Sequence, residues 1–251
     1  TRLERETRIV GEIQKSLLPP ELPEIPGLDL AAHYEPAANA GGDYYDFFQL
    51  ADGKWGLMIA DVSGHGTPAS VLMAVLHALA HTDEEKTCCP AQMLGRLNRR
   101  LAARYTQPRG SFITAFYGVY DPADRTIVYA SAGHNPPRIK RCEDGSLFKL
   151  EAEPGLPLGV DEEETYPTAS TRLDVEDQIV FYTDGVTEAS NPDGKLFGTA
   201  RLDRTLANCA LSAYGLIQTV LLNLEAFTQN HPADDDRTVV VAKVTELSEE
   251  A

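Results

Sequence analysis

The chain has 251 residues, with 22 Lys plus Arg against 38 Asp plus Glu and a formal net charge of −16. Apolar residues make up 43%, enough to build a core, so the chain is not a disordered acidic tail. The negative charge argues against nucleic acid and anionic membrane as main partners, because both would repel it.

Residues 2–18 read as a helix, with Leu3, Val10 and Leu17 seven apart, Ile13 at the other seam position and Glu6 breaking the seam. Glu4 and Arg8 stand as a favourable i,i+4 pair, and Pro19-Pro20 end the element. The pattern falls short of the roughly three heptads that specify a coiled coil. Two readings stay open: an amphipathic helix lying on the domain, or the end of a signalling coiled coil. The opening Thr1-Arg2-Leu3-Glu4-Arg5 has no apolar h-region and no initiator Met. A cytoplasmic piece of a longer protein is therefore expected.

After Pro26-Gly27 the pattern turns to strands. Leu28, Leu30, Ala32 and Tyr34 alternate, and residues 43–50 and 55–62 flank a hairpin turn at residues 51–54. Thr67-Pro68 reads as an N-cap and N1 pair before an apolar helix. Its run Ala69–Ala80 is too short to cross a bilayer. Pro90 opens a second helix with Leu94, Leu97 and Leu101 inward and Arg96, Arg99, Arg100 and Arg104 outward. Strand-like runs return at 112–120, 126–130, 138–140, 147–150 and 178–183, then a helix at 212–228 and a last strand at 238–244. Hairpins and paired helices without βαβ alternation predict an α+β fold with antiparallel sheets.

Residues 151–177 hold nine acids against the single Arg172, half of the net charge, among prolines and glycines. They read as a solvated loop. Cys88, Cys89, Cys142 and Cys209 show no CxxC spacing, which predicts reduced thiols. The expected organisation is an N-terminal linker helix at 1–20, one domain at 21–247 and a tail at 248–251.

No nucleophile elbow, HExxH or phosphate loop is present. Acids beside glycines remain: Gly41-Gly42-Asp43, Asp61-Val62-Ser63-Gly64-His65-Gly66, Thr183-Asp184-Gly185 and Asp234-Asp235-Asp236. Three of these sit at strand ends. Carboxylates brought together would repel and shift one another's pKa values, and hard divalent cations relieve that strain.

The ordered motifs Ala40-Gly41-Gly42-Asp43-Tyr44-Tyr45-Asp46, Ala60-Asp61-Val62-Ser63-Gly64-His65-Gly66, Ser131-Ala132-Gly133-His134-Asn135-Pro136, Tyr182-Thr183-Asp184-Gly185-Val186-Thr187-Glu188 and Asp235-Asp236-Arg237-Thr238 closely resemble the SpoIIE/RsbU-like branch of the PPM (protein phosphatase 2C-like) metal-dependent Ser/Thr phosphatases. Ile13-Gln14-Lys15-Ser16-Leu17-Leu18-Pro19 also resembles the leading helix of that branch. The resemblance implies a β-sandwich of two antiparallel sheets flanked by helices, in αββα layers. It also implies two Mn²⁺ or Mg²⁺ ions. Asp61 would bridge both, with Asp43 and the Val62 backbone carbonyl completing one site and Asp184 and Asp235 the other. Asp236 falls where other branches have Asn, which favours Asp235 as the ligand. Two cations ~4 Å apart would activate a shared water for attack on phosphorus without a covalent enzyme species. A catalytic role for His65 does not transfer cleanly, because it lies four rather than two residues after Asp61. His134 reads as a second candidate proton carrier or a loop residue.

By resemblance, the substrate would be a phosphorylated STAS-domain protein, an anti-anti-sigma factor in a bacterial partner-switching pathway. An upstream sensor domain and a homodimer through the N-terminal helix would regulate it. Two other readings stand beside this one: a catalytically silent module of the same fold that works by binding, and a small-molecule phosphohydrolase.

Overall fold

Alternating apolar and polar residues need a partner layer for their apolar face, and here two sheets supply each other's. The computed structural model describes residues 2–82, 87–107, 110–153, 155–229 and 231–247, leaving out the side chains of Leu3 and Glu4. One sheet has the order β1-β10-β9-β6-β7, formed by β1 (Leu28–Glu35), β10 (Arg237–Val244), β9 (Gln178–Tyr182), β6 (Arg138–Lys140) and β7 (Leu147–Lys149). The other has the order β2-β3-β4-β5-β8, formed by β2 (Tyr44–Gln49), β3 (Trp55–Val62), β4 (Ile113–Asp121), β5 (Thr126–Ala132) and β8 (Ala169–Arg172). Neighbouring strands pair antiparallel. Phe116 of β4 meets Phe181 of β9 across the sandwich, ring centroids 5.8 Å apart.

Helices cover both outer faces. α2 (Thr67–His81) and α3 (Pro90–Leu101) lie on the second sheet and bury Met73, Leu76, Leu94, Leu97 and Leu101. α6 (Ala213–Thr228) lies on the first, packing Leu216, Ile217 and Val220 against Val180, Val239 and Val241. β9 and β10 are thus buried on both faces. This is why they read as continuous apolar runs rather than alternating ones. The layers are the αββα sandwich expected.

Several local expectations need correction. α1 (Arg2–Lys15) ends before residue 18, and its domain-facing residues are Gly11 and Gln14, with Leu18 buried beyond its end. Of the seam residues, Ile13 is exposed, whereas Val10 is half-buried and Leu17, beyond the helix end, packs against the core. The expected Glu4–Arg8 pair involves a side chain outside the described residues; the ion pairs found are Arg2–Glu6 and Arg8–Glu12. Gly66, not Thr67, is the N-cap of α2.

The acidic stretch is only partly a solvated loop. Asp161, Glu162 and Glu163 are exposed, but Leu158, Tyr166 and Leu173 are buried. β8 within it pairs with β5, and its sequence Ala-Ser-Thr-Arg offered no apolar alternation to reveal an edge strand. α5 (Thr199–Thr205) was also unexpected, being short and polar apart from buried Leu202. The proposed tail at 248–251 lies outside the described residues. Among the described residues no helix is long and apolar enough to cross a membrane.

The cysteine reading is overturned for two residues. Cys142, just after β6, and Cys209, just before α6, form a disulfide across 67 residues, while Cys88 and Cys89 remain free. Only the tertiary fold brings those two loops together, so no local spacing could signal the pair. Closing a loop of this length restricts the unfolded chain by up to about 4 kcal/mol. Cys142→Ser or Cys209→Ser is expected to lower the unfolding free energy by about 2–4 kcal/mol. In urea titrations with and without reductant, the wild type should shift and the variants should not.

Candidate active site

Antiparallel pairing delivers the acids to one edge of the sandwich. Tyr44 pairs with Ala60, so Asp43 and Asp61 are neighbours across the β2–β3 ladder. Val239 pairs with Tyr182, and the Thr183 N–H donates to the Thr238 carbonyl at 3.1 Å. This brings Asp184, which opens α4 (Asp184–Thr187), beside the Asp235-Asp236 segment ahead of β10. The sheets are tied at this edge by Asp43. Its buried Oδ2 accepts from Thr183 Oγ1 at 2.7 Å and from Thr238 Oγ1 at 2.6 Å.

The carboxylates feel one another. Burial raises Asp43 well above the carboxylate range, and the charge of Asp61 adds to this; the two threonine hydroxyls work the other way. Asp61 is pushed up to about 8 by burial and by Asp184, Asp235 and Asp236. Asp184 is raised by burial and Asp235. Asp235 is raised by burial and Asp236, with His65 opposing. Anions crowded around one point disfavour each other's charged forms, and a bound cation reverses the logic.

The donors fit hard divalent ions, being carboxylates joined by a carbonyl. Among the described residues, no three of these carboxylates hold donor atoms all within 4.8 Å of one another. That spread suits hydrated ions, since Mg²⁺ keeps several waters. Gly42 belongs to the arrangement because a Cβ there would stand 2.9 Å from the Val62 carbonyl oxygen, 3.1 Å from Ala69 Cβ and 3.1 Å from Val62 Cβ. Gly185 is required for a similar reason: a Cβ would overlap the Asp236 carbonyl.

Asp235 and Asp236 have separate duties. The buried Asp236 carboxylate accepts from the Ala37 N–H at 2.8 Å and the Gly42 N–H at 2.6 Å, bracing the loop that presents Asp43. The Asp235 carboxylate is exposed, and its Oδ1 accepts from the Asp236 N–H at 2.9 Å. α1 braces the same loop. Gln14 accepts from the Gly41 N–H at 2.9 Å, and donates to the Gly41 carbonyl at 2.8 Å and to Tyr34 Oη at 3.0 Å. Nothing in the residue pattern assigned roles to Gln14, Thr183, Thr238 or Asp236. Their one signal was position inside or beside the quoted motifs.

The histidines differ. His65 is exposed on the turn between β3 and α2, close enough to Asp235 to influence it. His134 is buried, its Nδ1 2.8 Å from the Thr114 hydroxyl, and Thr114 pairs with Asp61 across the β3–β4 ladder. Burial lowers its pKa to about 4, so it is neutral at neutral pH and serves as a bracing group there.

The chain has relatives among known proteins. A family model described as Stage II sporulation protein E (SpoIIE) matches residues 51–245. Phosphoserine phosphatase RsbU of Bacillus subtilis (strain 168) is 32% identical over 244 residues, covering 96% of this chain and 70% of RsbU. The structure of the RsbU and RsbW domains of Rv1364c from Mycobacterium tuberculosis aligns with a TM-score of 0.73 and 27% identity, over 90% of this chain and 62% of that one. The SiaA-PP2C domain of Pseudomonas aeruginosa has the same fold, with a TM-score of 0.83 at 20% identity over 96% of both chains.

Two consequences are measurable. Asp236→Ala leaves the buried Gly42 N–H and the half-buried Ala37 N–H without an acceptor and is expected to cost about 1–3 kcal/mol. Asp235→Ala should cost no more than about 0.5 kcal/mol; urea unfolding in EDTA compares them. His134 stays neutral in the folded chain but charges when unfolded. Its contribution is therefore present above about pH 6.5 and lost as pH falls toward 4, ~3 kcal/mol in all. His134→Gln should show a correspondingly shallower acid dependence of stability than wild type.

Proposed function

Because this chain belongs to the SpoIIE/RsbU-like branch of the PPM (protein phosphatase 2C-like) phosphatases, we propose that it hydrolyses phosphoserine or phosphothreonine on a protein partner with the help of divalent ions. The observation that carries this reading is the meeting of four strand-end carboxylates whose pKa values rise together. Asp43, Asp61, Asp184 and Asp235 would hold two Mg²⁺ or Mn²⁺ ions, with the Val62 carbonyl as a further ligand. Such ions supply Lewis-acid charge and an activated water at neutral pH.

The chain's own residues do the positioning. Thr183 and Thr238 both donate to Asp43 Oδ2 and fix the orientation of the carboxylate. Metal ligands held this way lose less entropy on binding and keep their aim. Asp236 and Gln14 hold the backbone on which Asp43 rides. Its exposure on the turn near Asp235 supports His65 as the proton donor to the leaving serine or threonine oxygen in this reading.

A protein substrate is favoured over a small one by the surface next to the site. A groove of about 410 Å³ adjoins the Val62-Ser63 turn, lined by Pro68, Val71, Leu72 and Tyr105 among others. Val71, Tyr105 and Phe112 are exposed apolar side chains in this region, the kind of patch that marks a protein contact. The phosphorylated STAS-domain protein remains the specific substrate we propose, with a sensor domain upstream of α1 and a homodimer through that helix. A silent binding module is disfavoured because all four acids are present.

Asp61→Asn is expected to reduce Mn²⁺-dependent phosphate release by more than ~100-fold. Wild-type turnover in that variant would sink the metal assignment. Thr238→Val keeps the fold but loosens Asp43, so the Mn²⁺ concentration for half-maximal activity should rise ~10–100-fold. With His65→Ala, the pH–rate profile should lose its alkaline limb if His65 donates the proton. A phosphorylated STAS protein should be turned over far faster than free phosphoserine or nucleotides; equal rates would favour a small-molecule enzyme.

A further inference from the structure

A second cluster of ligating side chains lies on the opposite face of β2. Side chains alternate along a strand. Asp43 and Asp61 face the other sheet, whereas Tyr44, Asp46 and Phe48 face α2. His77 and His81 stand one helical turn apart on α2 and meet Asp46 there. His81 Nε2 lies 2.6 Å and His77 Nδ1 3.9 Å from the same oxygen, Asp46 Oδ2. The two imidazole centroids are 4.4 Å apart. One donor atom from each of the three residues falls within 4.8 Å of the others, and this is the group of three His, Cys, Asp or Glu that does so among the described residues.

We propose that Asp46, His77 and His81 form a binding site for a transition metal ion such as Zn²⁺, separate from the carboxylate centre. The donor chemistry sets the class. Two imidazole nitrogens and one carboxylate oxygen suit Zn²⁺ and its neighbours, whereas Mg²⁺ and Mn²⁺ prefer oxygen alone. The site is built rather than incidental. Asp46 is buried, and its Oδ1 accepts from the Phe47 N–H at 2.7 Å. The Tyr44 hydroxyl bonds Oδ2 and lies 3.3 Å from His77 Nδ1. Such outer partners fix ligand orientation. Phe48 packs on the His81 ring and Tyr44 meets the His77 ring edge-on. Three protein ligands leave a fourth position for water. A bound ion would cross-link the C-terminal half of α2 to β2.

Purified 251-residue chain in millimolar Mg²⁺, added to fill the proposed hard-ion centre, would be titrated with Zn²⁺ by calorimetry. One equivalent should bind, and His77→Ala or His81→Gln should weaken it by more than ~100-fold. Mg²⁺-dependent phosphatase activity should be unchanged in both variants when zinc is absent. X-ray absorption of zinc-loaded wild type, which needs no variant to fold, should show imidazole nitrogens at about 2.0 Å. An oxygen-only shell, no uptake above Mg²⁺, or equal uptake by the variants overturns the proposal.

Discussion

The rest of the active site depends on one buried carboxylate. Asp43 sits between the sheets and is held by Thr183 from one strand end and Thr238 from the next. A buried carboxylate without partners is costly, and two hydroxyl donors offset much of that cost. The same bonds fix how the sheets meet at this edge. Asp61 reaches the place from Asp43's own sheet, Asp184 and Asp235 from the other. A shift between the sheets would break the threonine contacts and separate the acids together. Packing and chemistry are therefore one constraint here.

Around that constraint the fold supplies braces. Asp236 and Gln14 both hold the short loop before Asp43, one from just ahead of the last strand and one from the first helix. Gly42 and Gly185 give up side chains so that backbone can approach backbone. The N-terminal helix thus has a direct hydrogen-bonded path to a residue of the carboxylate centre. A change in how α1 lies would be felt first at Gly41, two residues before Asp43. The α2-facing side of β2 carries the Asp46 cluster, while Asp43, just ahead of the strand, faces the other sheet.

Much of this was legible in the residues, and the limits were physical. Strand positions followed from period-two alternation and from apolar runs, because each sheet has to bury at least one face. β8 escaped because an edge strand needs no apolar pattern, and α5 because a short polar helix relies on the single anchor Leu202. The four acids could be named from their glycine neighbours and their order. The threonines and Gln14 could not be given roles, since a hydroxyl or an amide is ordinary until its partner is known. The Cys142–Cys209 pair and the Asp46–His77–His81 group escaped for the same reason: their partners are far apart in the chain.

The amino-acid sequence by itself determined the elements, the apolar faces that must be covered, and the family to which the chain belongs. Those follow from local periodicity and from ordered motifs, which are properties of neighbours along the chain. Tertiary structure decided which carboxylates meet, which acid braces the backbone, and which face of α1 is buried. Those are properties of neighbours in space, and they arise only when antiparallel pairing brings separate strand ends to one edge.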